Sequence, residues 1–383
     1  MKLYKRIIED QINNFFKKSR KKILFVWGPR RSGKTTVITK IAKKKKARLF
    51  NFDYLSEREY FVNDKEALAR LVEENPIILI DEVQNFPEST VVLKILADNF
   101  PVKIVATGSS ELRKKSQKFD SLTGRYDEIF CLPLSLEEFI WQDKPKALER
   151  QQYFRGLMKK LMTYGCYPEI NTLLTAKSKI ETLQKLFDAY VLKDIVDIYD
   201  LKSAKLAKDI LLKIALQVGQ EVSINEIANS LRANTATVAN YIEIFEKNYI
   251  LLALPSFKTN IRRAVSENKK YYFYDLGIRN VLIKDFRSLE LRQDKGSVFE
   301  NLVIAEMLKK IRNRKILKNL YFYREYGGRE VDLVVEDYFK KYQCFEIKLK
   351  EEKLIKKIFP LKHQLAIITS QNYFRYLEPS NAF

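Results

Sequence analysis

The run Gly28-Pro-Arg-Arg-Ser-Gly-Lys-Thr35 limits what this chain can fold into more than any other segment. It follows the apolar stretch Lys22–Trp27 and continues into Thr36–Ala42, so strand, glycine-bounded loop and helix come in direct succession. Gly28 and Gly33 let the loop of Pro29, Arg30, Arg31 and Ser32 close its backbone on phosphate oxygens, and the helix N-terminus adds a favourable field. Lys34 reaches the outer phosphates, Thr35 ligates magnesium and Thr36 continues the loop into the helix. The expected ligands are ATP and Mg2+.

Such a loop works with a carboxylate at the end of a buried strand, and Ile77-Ile-Leu-Ile-Asp-Glu82 supplies two in succession. Asp81 is expected to hold magnesium through water. Glu82 is expected to orient and activate the attacking water, which separates a hydrolase from a passive nucleotide binder. Strands are expected at Lys22–Trp27, Arg48–Phe52, Pro76–Ile80 and Val102–Ala106, alternating with helical stretches. That alternation is the pattern of a parallel sheet covered by helices.

The 383 residues allow two to four compact modules. Lys+Arg 70 against Asp+Glu 48 leaves a net charge of +22, which suits a phosphate backbone and equally a lysine-rich genome. Cys131, Cys166 and Cys344 lie far apart and His363 is the single histidine, which argues against structural zinc, disulfide frameworks and histidine-centred catalysis. No run approaches the roughly 18 apolar residues of a membrane span, and Met1–Arg6 lacks a signal-peptide stretch. A cytoplasmic protein without membrane partners is expected.

Beyond the first sheet the periodicity changes. From Leu136 to Leu216 apolar residues recur at three and four spacing, as at Leu183, Leu186, Phe187, Tyr190 and Val191, which predicts a helical subdomain. Ser223–Arg232 and Thr235–Phe245 read as the two helices of a helix-turn-helix. Val238, Tyr241, Ile242 and Phe245 form its inward stripe, leaving Thr235, Thr237 and Asn240 outward, with Lys258, Arg262 and Arg263 on a following wing. DNA contact, protein docking and a spacer role all fit this pattern. Past Lys269 a helix from Ser297 precedes strands at Leu320–Arg324, Glu330–Val335 and Gln343–Leu349. The expected divisions are 1–134, 135–215, 216–268 and 269–383.

In the last strand Glu346 and Lys348 share one face, and Asp332 lies on the strand before it. Glu300 sits on a helix face with Val303, Ile304 and Met307, and is also the last residue of a Ser297–Glu300 capping box. Carboxylates converging beside a lysine can hold divalent cations that stabilise both oxygens of a phosphodiester displacement. Asp332 and Glu346 are the expected metal ligands and Lys348 the group that activates or orients water. Glu267-Asn-Lys269 and Glu351-Glu-Lys353 repeat the Glu-x-Lys spacing, so strand context alone singles out Glu346 and Lys348.

Taken together, Gly28–Thr35, Leu79–Gln84, Ala106–Leu112, Leu122–Arg125, Leu132–Phe139, Tyr164–Glu169 and Tyr272–Gly277 make the chain resemble an AAA-type P-loop ATPase. It more closely resembles the archaeal and bacterial ATPases whose C-terminal half combines a winged helix with a restriction-endonuclease-like domain. The acid, acid, Glu-x-Lys order is similar to the PD-(D/E)xK nucleases, with Val331 where that motif has proline. The resemblance implies an α/β fold: a P-loop NTPase parallel sheet, a helical lid, a winged helix and a C-terminal nuclease-like domain. It also implies that Ser109 senses the γ-phosphate and that Arg125 is an arginine finger acting in trans in a homo-oligomer, the alternative for Arg125 being an ordinary loop arginine. The function so implied is ATP hydrolysis with DNA as partner and, at the C-terminal acids, DNA cleavage. Two rivals are a nucleotide-controlled switch whose nuclease-like domain only binds, and a signalling or defence ATPase that recognises protein.

Overall fold

The computed structural model of the protein describes residues 3–86, 88–109, 122–199, 201, 203–258, 269–325, 328–350 and 358–378. The chain divides into two compact units, Leu3–Leu132 and Pro133–Phe383.

The N-terminal unit is built on a five-stranded sheet in the order β2-β3-β4-β1-β5. Its strands are β1 (Ile23–Trp27), β2 (Leu49–Asn51), β3 (Ile77–Asp81), β4 (Lys103–Gly108) and β5 (Tyr126–Phe130), and every pairing is parallel. Strand β1 is buried along its whole length because it lies between β4 and β5 with apolar layers on both faces. Alternation sorts its side chains. Leu24 and Val26 pack with Ile38 and Ile41 of helix Lys34–Lys45 and Ile8 and Ile12 of helix Ile7–Lys18. Ile23, Phe25 and Trp27 pack on the other side with Leu93 and Leu96 of helix Ser89–Asn99, and the Phe25 and Trp27 rings stack at 4.9 Å. Strands buried on both faces read as continuous apolar runs, which is why β1, β3 and β4 fall where the sequence places them.

Strand β5 was not among the expected strands. It carries Asp127 and Glu128 and buries only Ile129, the composition of a blunted edge strand. Its acids are used: Asp127 accepts from the Ser19 hydroxyl at 2.7 Å and Glu128 from the Trp27 indole at 3.3 Å.

The C-terminal unit begins with helices, among them Leu136–Asp143, Arg150–Tyr164, Ala176–Leu186 and Ala204–Leu216. A three-stranded antiparallel sheet follows in the order β6-β8-β7, formed by β6 (Glu221–Val222), β7 (Leu251–Leu254) and β8 (Lys269–Phe273). Against it lie helices Ile224–Leu231 and Thr235–Lys247. Ser223 caps the first, Arg232 ends it in the left-handed conformation at φ 51°, and Asn234 caps the second, so three polar residues set the turn. Strand β8 starts after residue 268, where a division was expected, and its pairing joins it to the helix-turn-helix sheet.

A four-stranded sheet, β12-β11-β10-β9, completes the unit: β9 (Lys318–Arg324), β10 (Glu330–Asp337), β11 (Tyr342–Lys348) and β12 (His363–Thr369). Strands β9, β10 and β11 are antiparallel neighbours, and β12 runs parallel to β11. Helix Lys295–Arg314 precedes it. No helix among the described residues is long and apolar enough to cross a membrane.

Candidate nucleotide site and C-terminal acidic cluster

The parallel register brings the loop and its partners to one edge of the N-terminal sheet. Trp27 pairs with Gly108 of β4 and Phe130 of β5, so the loop leaving β1 starts beside Ser109 and Cys131. A Cβ on Gly28 would stand 2.1 Å from the Cys131 carbonyl oxygen, so only glycine lets the chain enter the loop here. Gly33 (φ 101°) and Arg31 (φ 58°) are left-handed. The Lys34 amine folds back on the carbonyls of Gly28 (2.8 Å) and Pro29 (2.9 Å). Burial holds its pKa below the ordinary value against the opposing pull of Glu82 and Asp81.

Thr35 and Thr36 are exposed on the first helical turn, whereas Ser32 is buried and its hydroxyl has no partner among the described residues. Asp81 is buried and accepts from the Thr107 hydroxyl and from the Glu82 N–H at 3.2 Å. Glu82 has left-handed backbone at φ 53° and accepts from the Gln84 side-chain amide. The other end of that amide accepts the Ser109 N–H at 3.3 Å. Gln84 therefore ties the carboxylate of Glu82 to the end of β4. Buried Ser109 also has a hydroxyl without a partner among the described residues.

Sequence reasoning gave no role to Gln84, Thr107 or Arg6. The first two stand inside the segments Leu79–Gln84 and Ala106–Leu112, and the positions of Gln84 two residues after Glu82 and of Thr107 two before Ser109 were the available signal. Arg6 had none, since it is joined to the loop only by the fold. It is 4% exposed and donates to the Ser32 carbonyl and, at 2.6 Å, to that of Leu132. The Cys131 thiol lies 3.4 Å from the same Ser32 oxygen. A trans peptide whose carbonyl is held on one side turns the next N–H, that of Gly33, the opposite way.

Arg125 lies elsewhere. Its residue precedes β5, at the end of the sheet opposite the loop, and it pairs in two bonds with Asp98 at 2.6 and 3.1 Å.

In the C-terminal unit the antiparallel pairing of Leu333 with Phe345 brings Asp332 and Glu346 together. Asp332 accepts the Ile347 N–H at 2.7 Å, and the Lys348 amine lies 3.4 Å from Asp332 and 3.5 Å from Glu346. Helix Lys295–Arg314 has Asp294 at its N-cap, so Ser297 and Glu300 do not form the helix start. The Glu300 carboxylate instead accepts from the Tyr272 hydroxyl and lies 3.7 Å from the Lys270 amine. Lys270, 1% exposed, also pairs with Glu330. Lys270, Tyr272 and Glu330 were not foreseen; the first two belong to β8 and meet the acids only through tertiary packing. Burial, reinforced by Asp332, pushes Glu346 up to about 7, and burial likewise takes Glu300 to about 7 against the opposing Lys270. Lys348 is held above its ordinary value because Asp332 and Glu346 outweigh the burial that would lower it. No three His, Cys, Asp or Glu side chains among the described residues are grouped so as to hold a metal ion.

On the helix-turn-helix, Val238, Tyr241, Ile242 and Phe245 are buried, Thr235 and Asn240 exposed, and Thr237 and Lys258 half-buried. Arg262 and Arg263 lie outside the described residues.

Residues 20–140 match the AAA domain family, 155–289 a domain of unknown function (DUF8612) and 295–374 another (DUF4143). An uncharacterized protein of Haemophilus influenzae is 25% identical over 306 residues, covering 75% of this chain and 74% of that protein. An uncharacterized protein of Methanocaldococcus jannaschii is 26% identical over 335 residues, covering 82% and 72%. A Walker-type ATPase of Pyrococcus abyssi has a similar fold, with a TM-score of 0.50 at 15% identity over 73% of this chain and 96% of that one. Residues 20–140 thus match an AAA domain, and the N-terminal unit has the α/β fold of P-loop NTPases.

Two outcomes follow from these geometries. Arg6→Met removes charge-assisted bonds worth about 1.5–3 kcal/mol, and should raise the Kd for ATP roughly ten- to a hundredfold in a titration, with the fold retained. Glu300 and Glu346 have folded pKa values above the unfolded 4.5, so the folded state binds more protons between about 4.5 and 7 and loses stability as pH rises through that window. Melting curves from pH 5 to 8 should show this fall for the parent and a flatter profile for Glu300→Gln/Glu346→Gln; identical slopes would remove the two carboxyls as its source.

Proposed function

We propose that this protein is a magnesium-dependent ATPase that binds DNA through its helix-turn-helix and basic surface. The observation that carries the reading is the convergence of the Gly28–Thr35 loop, Asp81, Glu82 and Ser109 at one edge of the parallel sheet, where P-loop folds take their phosphates. The unpartnered buried hydroxyls of Ser32 and Ser109 and the exposed Thr35 fit a phosphate–magnesium ligand. Thr35 and, through water, Asp81 would hold magnesium, which neutralises charge on the phosphate oxygens.

The remaining work falls to the chain. Backbone N–H groups of the loop would bind the phosphates, and Lys34 would exchange its carbonyl partners for phosphate oxygens. Glu82, held by Gln84, would orient water and accept its proton. Arg125, paired with Asp98 and remote from its own loop, would serve the site of a neighbouring copy in a homo-oligomer. Thr235, Thr237, Asn240 and Lys258, with Arg262 and Arg263, would meet DNA, and turnover would change how the helix-turn-helix is presented.

The lid, winged-helix and nuclease-like divisions at 135–215, 216–268 and 269–383 belong to this reading. For the last, Asp332, Glu346 and Lys348 support cleavage by a metal-dependent nuclease, with Glu300 beside them. Lys270 favours a second reading. Its buried amine lies 3.7 Å from Glu300 and pairs with Glu330, so a cation of the chain itself already neutralises these two acids, and no three acids among the described residues are grouped to hold a metal. On that reading the domain is a binding platform and the protein a nucleotide-controlled switch.

Lys34→Ala should abolish ATP binding, while Glu82→Gln should bind ATP with parental affinity and lose at least about a hundredfold in turnover; parental turnover in Glu82→Gln would overturn its assignment. Labelled duplex, single-stranded and junction DNA incubated with manganese decides the other question. Cleavage lost in both Asp332→Ala and Lys348→Ala establishes the nuclease, and intact DNA with the parent establishes the platform.

A further inference from the structure

The turn between β10 and β11 carries two aromatic rings that nothing in the fold uses. Tyr338 and Phe339 are 77% and 79% exposed, more than any other aromatic residue among the described ones. They are not loose. Asp337 accepts the N–H groups of Phe339 and Lys341 through one carboxylate oxygen, both at 2.8 Å, and its backbone pairs with Lys341 (3.0 Å) and Lys340 (3.1 Å). Lys340 takes the left-handed conformation at φ 58° and its amine reaches Glu336 at 2.8 Å. The turn is thus stapled from three sides, and the rings stand out edge to face, with centroids 5.9 Å apart. Rings held rigid before binding lose little freedom when a partner stacks on them.

Beside the rings lies a groove of about 540 Å³ at the same end of the four-stranded sheet. Its walls include Lys318, Lys340, Lys341, Lys362 and His363, with Asp337 as the only acid. The register explains the concentration of charge: Lys318 stands beside Asp337 and Tyr342 beside His363, so the starts of β9, β11 and β12 bring Lys318, Lys341, Lys362 and His363 to the end of β10. The acidic cluster at Asp332 and Glu346 lies four to five residues away along β10 and β11, roughly 15 Å at the rise of a strand.

We propose that this groove and the Tyr338–Phe339 turn form a binding surface for single-stranded nucleic acid, separate from the helix-turn-helix. The lysines supply a track for the phosphate backbone and the rings supply faces on which unpaired bases stack. Duplex cannot use the rings, because its bases already stack on one another. An apolar protein partner would call for apolar walls beside the rings, and here the adjacent groove is lined by lysines. The proposal rests on neither the ATPase assignment nor DNA contact by the helix-turn-helix.

The test is fluorescence anisotropy of the full chain with labelled oligo-dT, oligo-U and a duplex of equal length, at several salt concentrations. Tyr338→Ala/Phe339→Ala should weaken single-strand binding tenfold or more and leave duplex binding unchanged. Lys341→Glu/Lys362→Glu should lower the salt slope for single strands by about 1.4, from two lost phosphate contacts. Binding of oligo-dT alone, oligo-U alone or both by the parent identifies the strand as DNA, RNA or either. Thr235→Ala/Asn240→Ala serves as the comparison: it should weaken duplex binding only, and no effect there would remove the helix-turn-helix reading while leaving this one intact. Unchanged single-strand affinity in the aromatic variant, equal losses for single strand and duplex, or loss of self-association with unchanged oligonucleotide binding would each overturn the proposal. All variants lie on the surface, and retained ATP binding with a parental melting temperature shows that they fold.

Discussion

The approach of Gly28 to the Cys131 carbonyl is the constraint on which the nucleotide site depends. With no room for a side chain, the chain passes from β1 into the loop pressed against the end of β5. This fixes where the loop begins, and the Arg6 guanidinium and Cys131 thiol then hold the Ser32 carbonyl from outside. An anion site made of backbone N–H groups needs its peptides turned before the anion arrives, since turning them on binding would draw on the binding energy. Arg6 is itself set by Glu9, which accepts the Arg6 N–H at 3.2 Å and pairs with Lys40 of the helix that follows the loop. Three separated stretches of sequence, at Arg6–Glu9, Lys40 and Cys131, thus hold one loop.

The C-terminal unit meets a different constraint, burial of charge. Glu300, Glu330, Asp332 and Glu346 lie close together at low exposure, and such a group is sustained only with cations or protons among its members. Lys348 comes from the same strand as Glu346, whereas Lys270 crosses from the helix-turn-helix sheet. An ammonium ion carries one charge on a flexible stem, so it neutralises carboxylates without the fixed geometry of a metal. Burial raises the pKa of Glu300 and of Glu346, and the neighbouring carboxylates add to a rise that the two lysines oppose.

Much of this was legible in the sequence because the signals were local. The phosphate loop, the apolar runs of β1, β3 and β4, and the inward stripe of the helix-turn-helix all lie within one element or at its ends. Strand β5 was hidden because its acids break the apolar pattern that identifies buried strands. Arg6, Lys270 and Tyr272 escaped for a different reason. Their partners lie in other elements, and their identities, an arginine, a lysine and a tyrosine among many, carry no spacing. Glu300 shows how local reasoning misleads: Ser297 and Glu300 have capping-box spacing, yet the helix begins at Lys295 and the carboxylate turns inward to Tyr272.

Strand β8 joins the two halves of the C-terminal unit. Its backbone pairs with β6 and β7, its Phe273 N–H and carbonyl are both bonded at 2.8 Å by the Asn301 side chain of helix Lys295–Arg314, and its Lys270 and Tyr272 end among the acids. A shift of the helix-turn-helix sheet relative to that helix would break the two Asn301 bonds and withdraw Lys270 from Glu300 and Glu330. Withdrawal would leave buried carboxylates uncompensated, which is far costlier than losing a surface pair. The helix-turn-helix sheet and the acidic cluster must therefore move as one body, or the cluster must take up a proton or a cation when they part.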